Sequence, residues 1–277
     1  VLETGPNVTR VKKGDNVVMH WRPGNGIQSS PPKYLWKNKQ LNAGFVTTFN
    51  QHAVVSENRL TGISKDIDLE IASLFGCAVT TGLGVVNNDA KLKIGESIVI
   101  FGAGGIGLNL IQGSVLSGAY PIIAIDLYDN KLKMAKSFGA THVINSNKEE
   151  VEQRIKKILK SNKPDVVVDN TGVIDVINQA YNLTSETGRT VLVGVPRKGE
   201  TASIHTLPLH FQKKILGSEG GSSKPDIDIP NYLRLHKNKI LNLEGLITAY
   251  YSLDNINSAI KDMREGVVAG RVVISMR

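Results

Sequence analysis

The sequence predicts an α/β chain: a doubly wound parallel sheet joined to a separate, partial, mainly β unit. Three observations carry this. Between residues 97 and 218, short β-branched runs alternate with helical lengths, the pattern of a parallel sheet with right-handed crossovers. The first 80 residues lack helical periodicity and are broken by turn signals. A last apolar strand at 270–275 has no place in the order of the parallel sheet, and it is expected to return to the β unit. The boundaries that follow are 1–80 for the β unit, 81–240 for the parallel sheet and 241–277 for the returning segment.

In the β unit, turns fall at Gly5-Pro6-Asn7, at Lys13-Gly14-Asp15 and in the Pro/Gly/Ser-rich stretch 22–32. The runs Asn16-Val17-Val18-Met19 and His52-Ala53-Val54-Val55 lie between such signals and read as strands. Residues 22–44 read as one long loop, with Tyr34, Leu35 and Trp36 available to pack it down. Asp66 and Asp68 then precede Ile67, Leu69, Ile71, Ala72 and Leu74, a short helix with acids in its first turn. The stretch Gly76-Cys77-Ala78-Val79-Thr80-Thr81-Gly82 leads into a second helix toward Val86.

The parallel sheet opens with Ile98-Val99-Ile100-Phe101, short and β-branched enough for a buried strand. Gly102-Ala103-Gly104-Gly105-Ile106-Gly107 follows with G-x-G-x-x-G spacing, then Leu108, Ile111, Val115 and Leu116 at a helical period. Gly102 permits the tight strand-to-helix turn, Gly104 lets the backbone approach a pyrophosphate, and Gly107 lets the helix sit close on the strand. The helix N-terminus then offers N–H groups and a positive dipole end to phosphate. A second strand, Ile122-Ile123-Ala124-Ile125, ends on Asp126, about 20 residues on, where an acid accepts hydrogen bonds from the adenosine ribose. Strand, glycines, helix, second strand and acid in this order predict a Rossmann-type dinucleotide site. A carboxylate at the ribose repels a 2′-phosphate, and no Arg lies in Leu127-Tyr128-Asp129-Asn130 to offset it, so NAD is favoured over NADP. On the residues alone, Lys131 is either at the ribose edge or an exposed lysine in the first turn of the next helix.

The alternation continues. Residues 130–138 read as a helix closed by Gly139, His142-Val143-Ile144 as a strand, and 148–160 as an amphipathic helix with acids at its start and lysines at its end. Strands follow at 165–169, 190–195 and 214–218, with a helix at 173–182. The tail adds a helix at 254–264, with Ile256, Ala259, Ile260 and Met263 inward.

A chain of 277 residues with 41% hydrophobic content suffices for one large or two modest domains. The single cysteine, Cys77, excludes an internal disulfide and fits a reducing cytoplasm, the expected location. No apolar run approaches a membrane span, and no recognition motif accompanies the net charge of +8; neither membrane nor nucleic acid is expected as a partner. Val1-Leu2-Glu3-Thr4-Gly5 reads as the middle of a strand, so the chain is expected to be N-terminally truncated.

Together, Val8-Thr9-Arg10-Val11-Lys12-Lys13-Gly14-Asp15, Phe75-Gly76-Cys77-Ala78-Val79-Thr80-Thr81-Gly82, the glycine turn with Asp126 and Lys131, Asn170-Thr171-Gly172, Val193-Gly194-Val195-Pro196 and Gly270-Arg271 resemble the medium-chain, zinc-dependent alcohol dehydrogenases. The resemblance runs the whole length of the chain. It implies a GroES-like catalytic β domain beside the Rossmann domain, and hydride transfer between an alcohol carbon and NAD with a catalytic zinc. It further implies Cys77 as a zinc ligand, Thr81 and Ile106 at the nicotinamide, Gly102, Gly104, Gly105 and Gly107 at the pyrophosphate, and Asp126 and Lys131 at the ribose. Thr171 and Val193 would line the cofactor cleft, Arg271 would touch the pyrophosphate, and Trp21 would wall a pocket for a small alcohol or carbonyl substrate. A homodimer or homotetramer is implied as well.

The family's other zinc ligands, a Cys and the His of a Gly-His-Glu motif, would lie upstream of Val1. The chain as given is therefore expected to be inactive as an alcohol dehydrogenase. On residues alone Cys77 is also a packed thiol and Trp21 also a packed aromatic, while His20 and His52 read as structural. Residues 22–44 hold no cysteine, so no structural zinc is expected. Two other readings stay open: a zinc-independent NAD(P)H reductase of the same superfamily, against which Cys77 speaks, and a non-catalytic NAD(H)-binding protein.

Overall fold

Short apolar runs separated by turn residues build the first unit. In the computed structural model, which describes residues 1–276, this unit comprises Val1–Thr80, Ser223–Glu265 and the chain from Val272 onward. Strand β1 (Asn16–Met19) comes first. The supposed loop that follows contains a hairpin of β2 (Tyr34–Trp36) and β3 (Lys39–Leu41). Its two-residue turn, Lys37-Asn38, has φ of 45° and 61°, the doubly positive geometry that matches strand twist. Strand β4 (Leu60–Ile63) then pairs antiparallel with β1, Val18 opposite Thr61. The run at 52–55, expected as a strand, belongs to no strand and lines a cavity of about 540 Å³ with Leu2, Val8 and Met19.

Helix α1 (Leu69–Ser73) is capped by Asp68, whose carboxylate accepts from the Glu70 N–H at 2.7 Å, satisfying one of the orphan donors of the first turn. A Cβ on Gly76 would lie 2.5 Å from the Met19 carbonyl, so only glycine allows the turn to sit against β1. The chain then enters α2 (Ala78–Gly84), within which it passes from the first unit to the second, and continues as a π-helical turn over Val85–Asp89.

The second unit, Thr81–Ser222 with Gly266–Arg271, is built on β-branched strands. These are β5 (Ile98–Phe101), β6 (Ile122–Asp126), β7 (His142–Asn145), β8 (Val166–Asp169), β9 (Arg189–Leu192) and β10 (Lys214–Gly217). All are parallel, in the order β10-β9-β8-β5-β6-β7. Helices α3 (Gly105–Leu116), α4 (Asp129–Ser137), α5 (Val151–Ile158) and α6 (Ile174–Leu183) connect them. One core joins Val99, Phe101, Ile123, Ile125, Ile144 and Val167 of the sheet to Val151 and Ile155 of α5 and Ala180 and Leu183 of α6. Strand residues alternate between faces, so Ile98, Ile100 and Ile122, equally buried, serve the opposite face, where α3 packs on β5 and β6.

Beyond Ser222 the chain rejoins the first unit, earlier than the sequence boundary near 240. Helix α7 (Pro225–Lys237) packs on β4; Pro225 in its first turn and Pro230 inside it obscure its period in the sequence. Strand β11 (Ile247–Ser252) and helix α8 (Ile256–Arg264) follow. The last strand, β12 (Arg271–Ser275), pairs with β11, not with β1 or β4. Among the described residues no single helix is long and apolar enough to cross a membrane.

Candidate functional site

The strand order reverses at β5: the chain runs outward through β6 and β7, then returns past β5 to β8, β9 and β10. The crevice beyond the carboxyl ends of such strands is where open α/β sheets bind ligands. Gly102 makes the turn out of β5 at φ +92°, its N–H donating to the Ile125 carbonyl at 2.8 Å. A Cβ on Gly107 would stand 2.0 Å from the Gly102 carbonyl oxygen, so helix α3 can leave the strand this tightly only with glycine there. A Cβ on Gly104 would meet nothing within 4 Å. Open space thus adjoins the N-terminus of α3, which no side chain caps. This is the cradle that a pyrophosphate requires.

Two carboxylates fix the loops around it. Asp126, at the end of β6, accepts from the Ala103 N–H at 2.8 Å through Oδ2, and from the N–H groups of Leu127 and Tyr128 at 2.8 and 3.1 Å through Oδ1. It stays partly exposed, with lone pairs left for a further donor. Asp169, fully buried at the end of β8, accepts from the Thr171 N–H and hydroxyl at 3.0 and 2.6 Å and from the Gly172 N–H at 3.1 Å. Its main-chain carbonyl accepts from the N–H groups of Val193 and Gly194 at 2.8 and 3.1 Å. Asp169 therefore shapes the loops after both β8 and β9. The Thr171 methyl lies 3.3 Å from where a Gly102 Cβ would be, which places these loops beside the glycine turn.

Arg271 reaches the same place from the far end of the chain: its Cδ lies 2.1 Å from where a Cβ on Gly105 would be. Lys131, in α4, holds its Nζ 4.8 Å from the Tyr128 ring centroid. Thr81 is buried in α2, and its carbonyl lies 2.5 Å from where a Gly221 Cβ would be. The neighbouring Gly82 brings α2 onto α3, for a Cβ there would sit 2.5 Å from Asn109 Cβ and 2.9 Å from the Ile106 carbonyl. The structure thus gathers Gly102, Gly104, Gly105, Gly107, Asp126, Thr171, Val193 and Arg271 around one turn, with Ile106 in the first turn of α3. Asp169 and Tyr128 were missed by sequence reasoning. An Asp ending a strand just before Asn-Thr-Gly is an Asx-turn signal that could have marked the first; nothing local marks the second.

In the first unit, Cys77 is exposed, so it is no packed thiol. Its carbonyl accepts from the Thr80 hydroxyl at 3.0 Å. His20 is buried, with Nδ1 2.7 Å from the Arg22 carbonyl and Nε2 2.9 Å from the Thr61 hydroxyl; burial pushes its pKa down, and both ring nitrogens are occupied. Trp21 is 42% exposed, with the Arg22 guanidinium 5.9 Å from its ring centroid. Among the described residues no group of three or more His, Cys, Asp or Glu could hold a metal ion. One thiolate is short of the three protein ligands that a catalytic zinc needs, so the described residues do not fit zinc.

The zinc-binding dehydrogenase family profile matches residues 105–238. S-(hydroxymethyl)glutathione dehydrogenase of Paracoccus denitrificans is 31% identical over 99% of this chain and 82% of its own length. The chain belongs to the zinc-dependent medium-chain alcohol dehydrogenases. An NDMA-dependent alcohol dehydrogenase of Amycolatopsis methanolica, 28% identical, covers 96% of this alcohol dehydrogenase-family chain and is itself covered to 79%. The crystal structure of benzyl alcohol dehydrogenase from Acinetobacter calcoaceticus superposes with a TM-score of 0.84 at 28% identity, over 99% of this chain and 80% of that one. The α/β fold with its doubly wound sheet is that of the alcohol dehydrogenases, and the family's chemistry is NAD-linked alcohol oxidoreduction with a catalytic zinc.

Proposed function

We propose that this chain binds NAD(H) at the α3 N-terminus and uses it to interconvert an alcohol and its carbonyl compound, with specificity for the non-phosphorylated cofactor. The cradle carries this reading: open space at Gly104, an uncapped α3 and a carboxylate at the end of β6. The main-chain N–H groups of the first turn of α3 and the Arg271 guanidinium would hold the pyrophosphate, and Asp126 with Lys131 the adenosine ribose. Thr171 and Val193 would line the cleft, with Thr81 and Ile106 at the nicotinamide end. NAD, when bound, supplies the hydride acceptor.

Cys77 is proposed as one ligand of the family's zinc, a site that the described residues alone do not complete, and Trp21 as a wall of the substrate pocket. The substrate is a small alcohol or carbonyl compound. Strand β10 ends the sheet with its outer edge unpaired, a surface that a second copy can extend. Light scattering is expected to give a multiple of 30.0 kDa; a strict monomer would remove the dimer or tetramer reading.

The deciding experiment titrates NADH and NADPH separately, following nicotinamide fluorescence. The wild type should prefer NADH. Asp126→Ala removes the charge that repels a 2′-phosphate and should narrow the preference by about tenfold or more, the 1.4 kcal/mol scale of one adjacent charge. An unchanged preference would take Asp126 away from the ribose.

A further inference from the structure

From Asn16 to Ser56 the chain contains no Asp or Glu, although it holds 25 elsewhere. The same stretch carries Arg22, Lys33, Lys37 and Lys39. The three lysines are exposed, and among the described residues no carboxylate pairs with them. Two of them, Lys37 and Lys39, sit on the β2–β3 hairpin, and the third immediately precedes it.

The hairpin's apolar residues are not packed down. Leu35 is 76% exposed, Trp36 57% and Leu41 45%, while Phe49, farther along the lobe, is 63% exposed. The register places Tyr34 opposite Leu41 and Trp36 opposite Lys39, so Tyr34, Trp36, Lys39 and Leu41 share one face. The Lys37 ammonium lies 4.7 Å from the Trp36 ring centroid. An isolated two-stranded hairpin is at best marginal in water, yet the base of this lobe is firmly tied. The Tyr34 hydroxyl accepts from the Val54 N–H at 2.8 Å, Arg59 donates to Gln28 Oε1 at 2.9 Å, and the Arg59 guanidinium lies 4.8 Å from the Phe45 ring centroid. A fixed base thus presents an apolar, aromatic, purely cationic tip.

We propose that this lobe seats the protein on an anionic membrane surface, with the β2–β3 hairpin at the level of the lipid headgroups. Charge fixes the partner's sign: three exposed lysines, at and beside the hairpin, in a stretch without an acid attract an anionic surface. The side chains fix its kind. Trp favours the membrane–water interface, where its ring is buried and its indole N–H stays wet, and Trp36 is the exposed aromatic of the hairpin. Leu35 and Leu41 gain from burial among acyl chains and gain nothing from stacking on nucleic-acid bases, which sets lipid ahead of a single-stranded nucleic acid. The sequence expectation of no membrane partner rested on the lack of a spanning run; a surface-seated hairpin needs none.

The test is co-sedimentation of the intact protein with vesicles of phosphatidylcholine alone or mixed with phosphatidylserine. The protein is expected to pellet with the mixed vesicles at low salt, to leave them as salt rises, and to ignore the neutral ones. Each lysine removed should weaken binding about fivefold, and K33E/K37E/K39E by on the order of a hundredfold or more. Trp36→Ala should weaken it at every salt concentration, with circular dichroism unchanged because these side chains are exposed. No binding to the anionic vesicles, or equal binding by the triple variant, would overturn the proposal. So would tighter binding to a single-stranded oligonucleotide, or self-association that the hairpin variants abolish.

Discussion

Glu57 holds together three stretches of the first unit that the chain otherwise leaves apart. Its Oε1 accepts from the N–H groups of Thr9 and Arg10 at 2.7 and 2.6 Å, and its Oε2 accepts from that of Ile27 at 3.0 Å. The bonds from Ile27, Arg10 and Thr9 favour the charged form, so the carboxyl lies below its ordinary value of 4.5. A carboxylate depressed on folding contributes stability that is fully present above its unfolded pKa and is lost as pH falls through the folded one. The advantage of wild type over Glu57→Gln in melting temperature should therefore be flat above pH 4.5 and shrink below it. The variant should be less stable at neutral pH, since its amide NH₂ faces backbone donors that then lack an acceptor. An advantage that stayed constant on acidification would mean that the charge on Glu57 contributes nothing.

At the scale of elements, the two units differ in how far the sequence reveals them. Strands β5, β6 and β8 are legible because both their faces are buried, so a run such as Ile98-Val99-Ile100-Phe101 must be apolar throughout. The amphipathic α5 is legible for the opposite reason: one face is wet, and its charges sort along the helix axis. The first unit gives no such signal. Strands β2 and β3 have three residues each and are mostly exposed, too short for an alternation to register. The Lys37-Asn38 turn lacks the glycine that usually announces a doubly positive turn. Strand β4 contains Gly62 and follows a 3₁₀ turn of buried Glu57, Asn58 and Arg59, polar residues that read as loop. In the site, the glycine turn and Asp126 were legible because their backbone geometry demands those residue types. Asp169 left only the weaker signal of an Asp before Asn-Thr-Gly, because its work is internal: fully buried, it shapes the loops around it.

At the scale of the whole molecule, the path of the chain matters more than any single element. Residues Gly266–Arg271 belong to the second unit although the chain on both sides of them belongs to the first. Asn130 Nδ2 donates to the Gly266 carbonyl at 3.0 Å, and Gly266 adopts φ +71° where a Cβ would strike the Tyr128 ring at 2.5 Å. That tie delivers Arg271 to Gly105, at the N-terminus of α3. If the arginine is there to meet a pyrophosphate, Arg271→Met keeps the apolar stem that packs on Gly105 and removes only the guanidinium. Hydrogen bonds to charged groups are each worth about 1.5–3 kcal/mol, so NADH affinity measured by calorimetry should fall by roughly tenfold or more. A fall in melting temperature with affinity unchanged would instead make Arg271 a structural tie between the C-terminal segment and α3. Tight NADH binding with neither change would leave the first-turn N–H groups of α3 as the anchors of the phosphates.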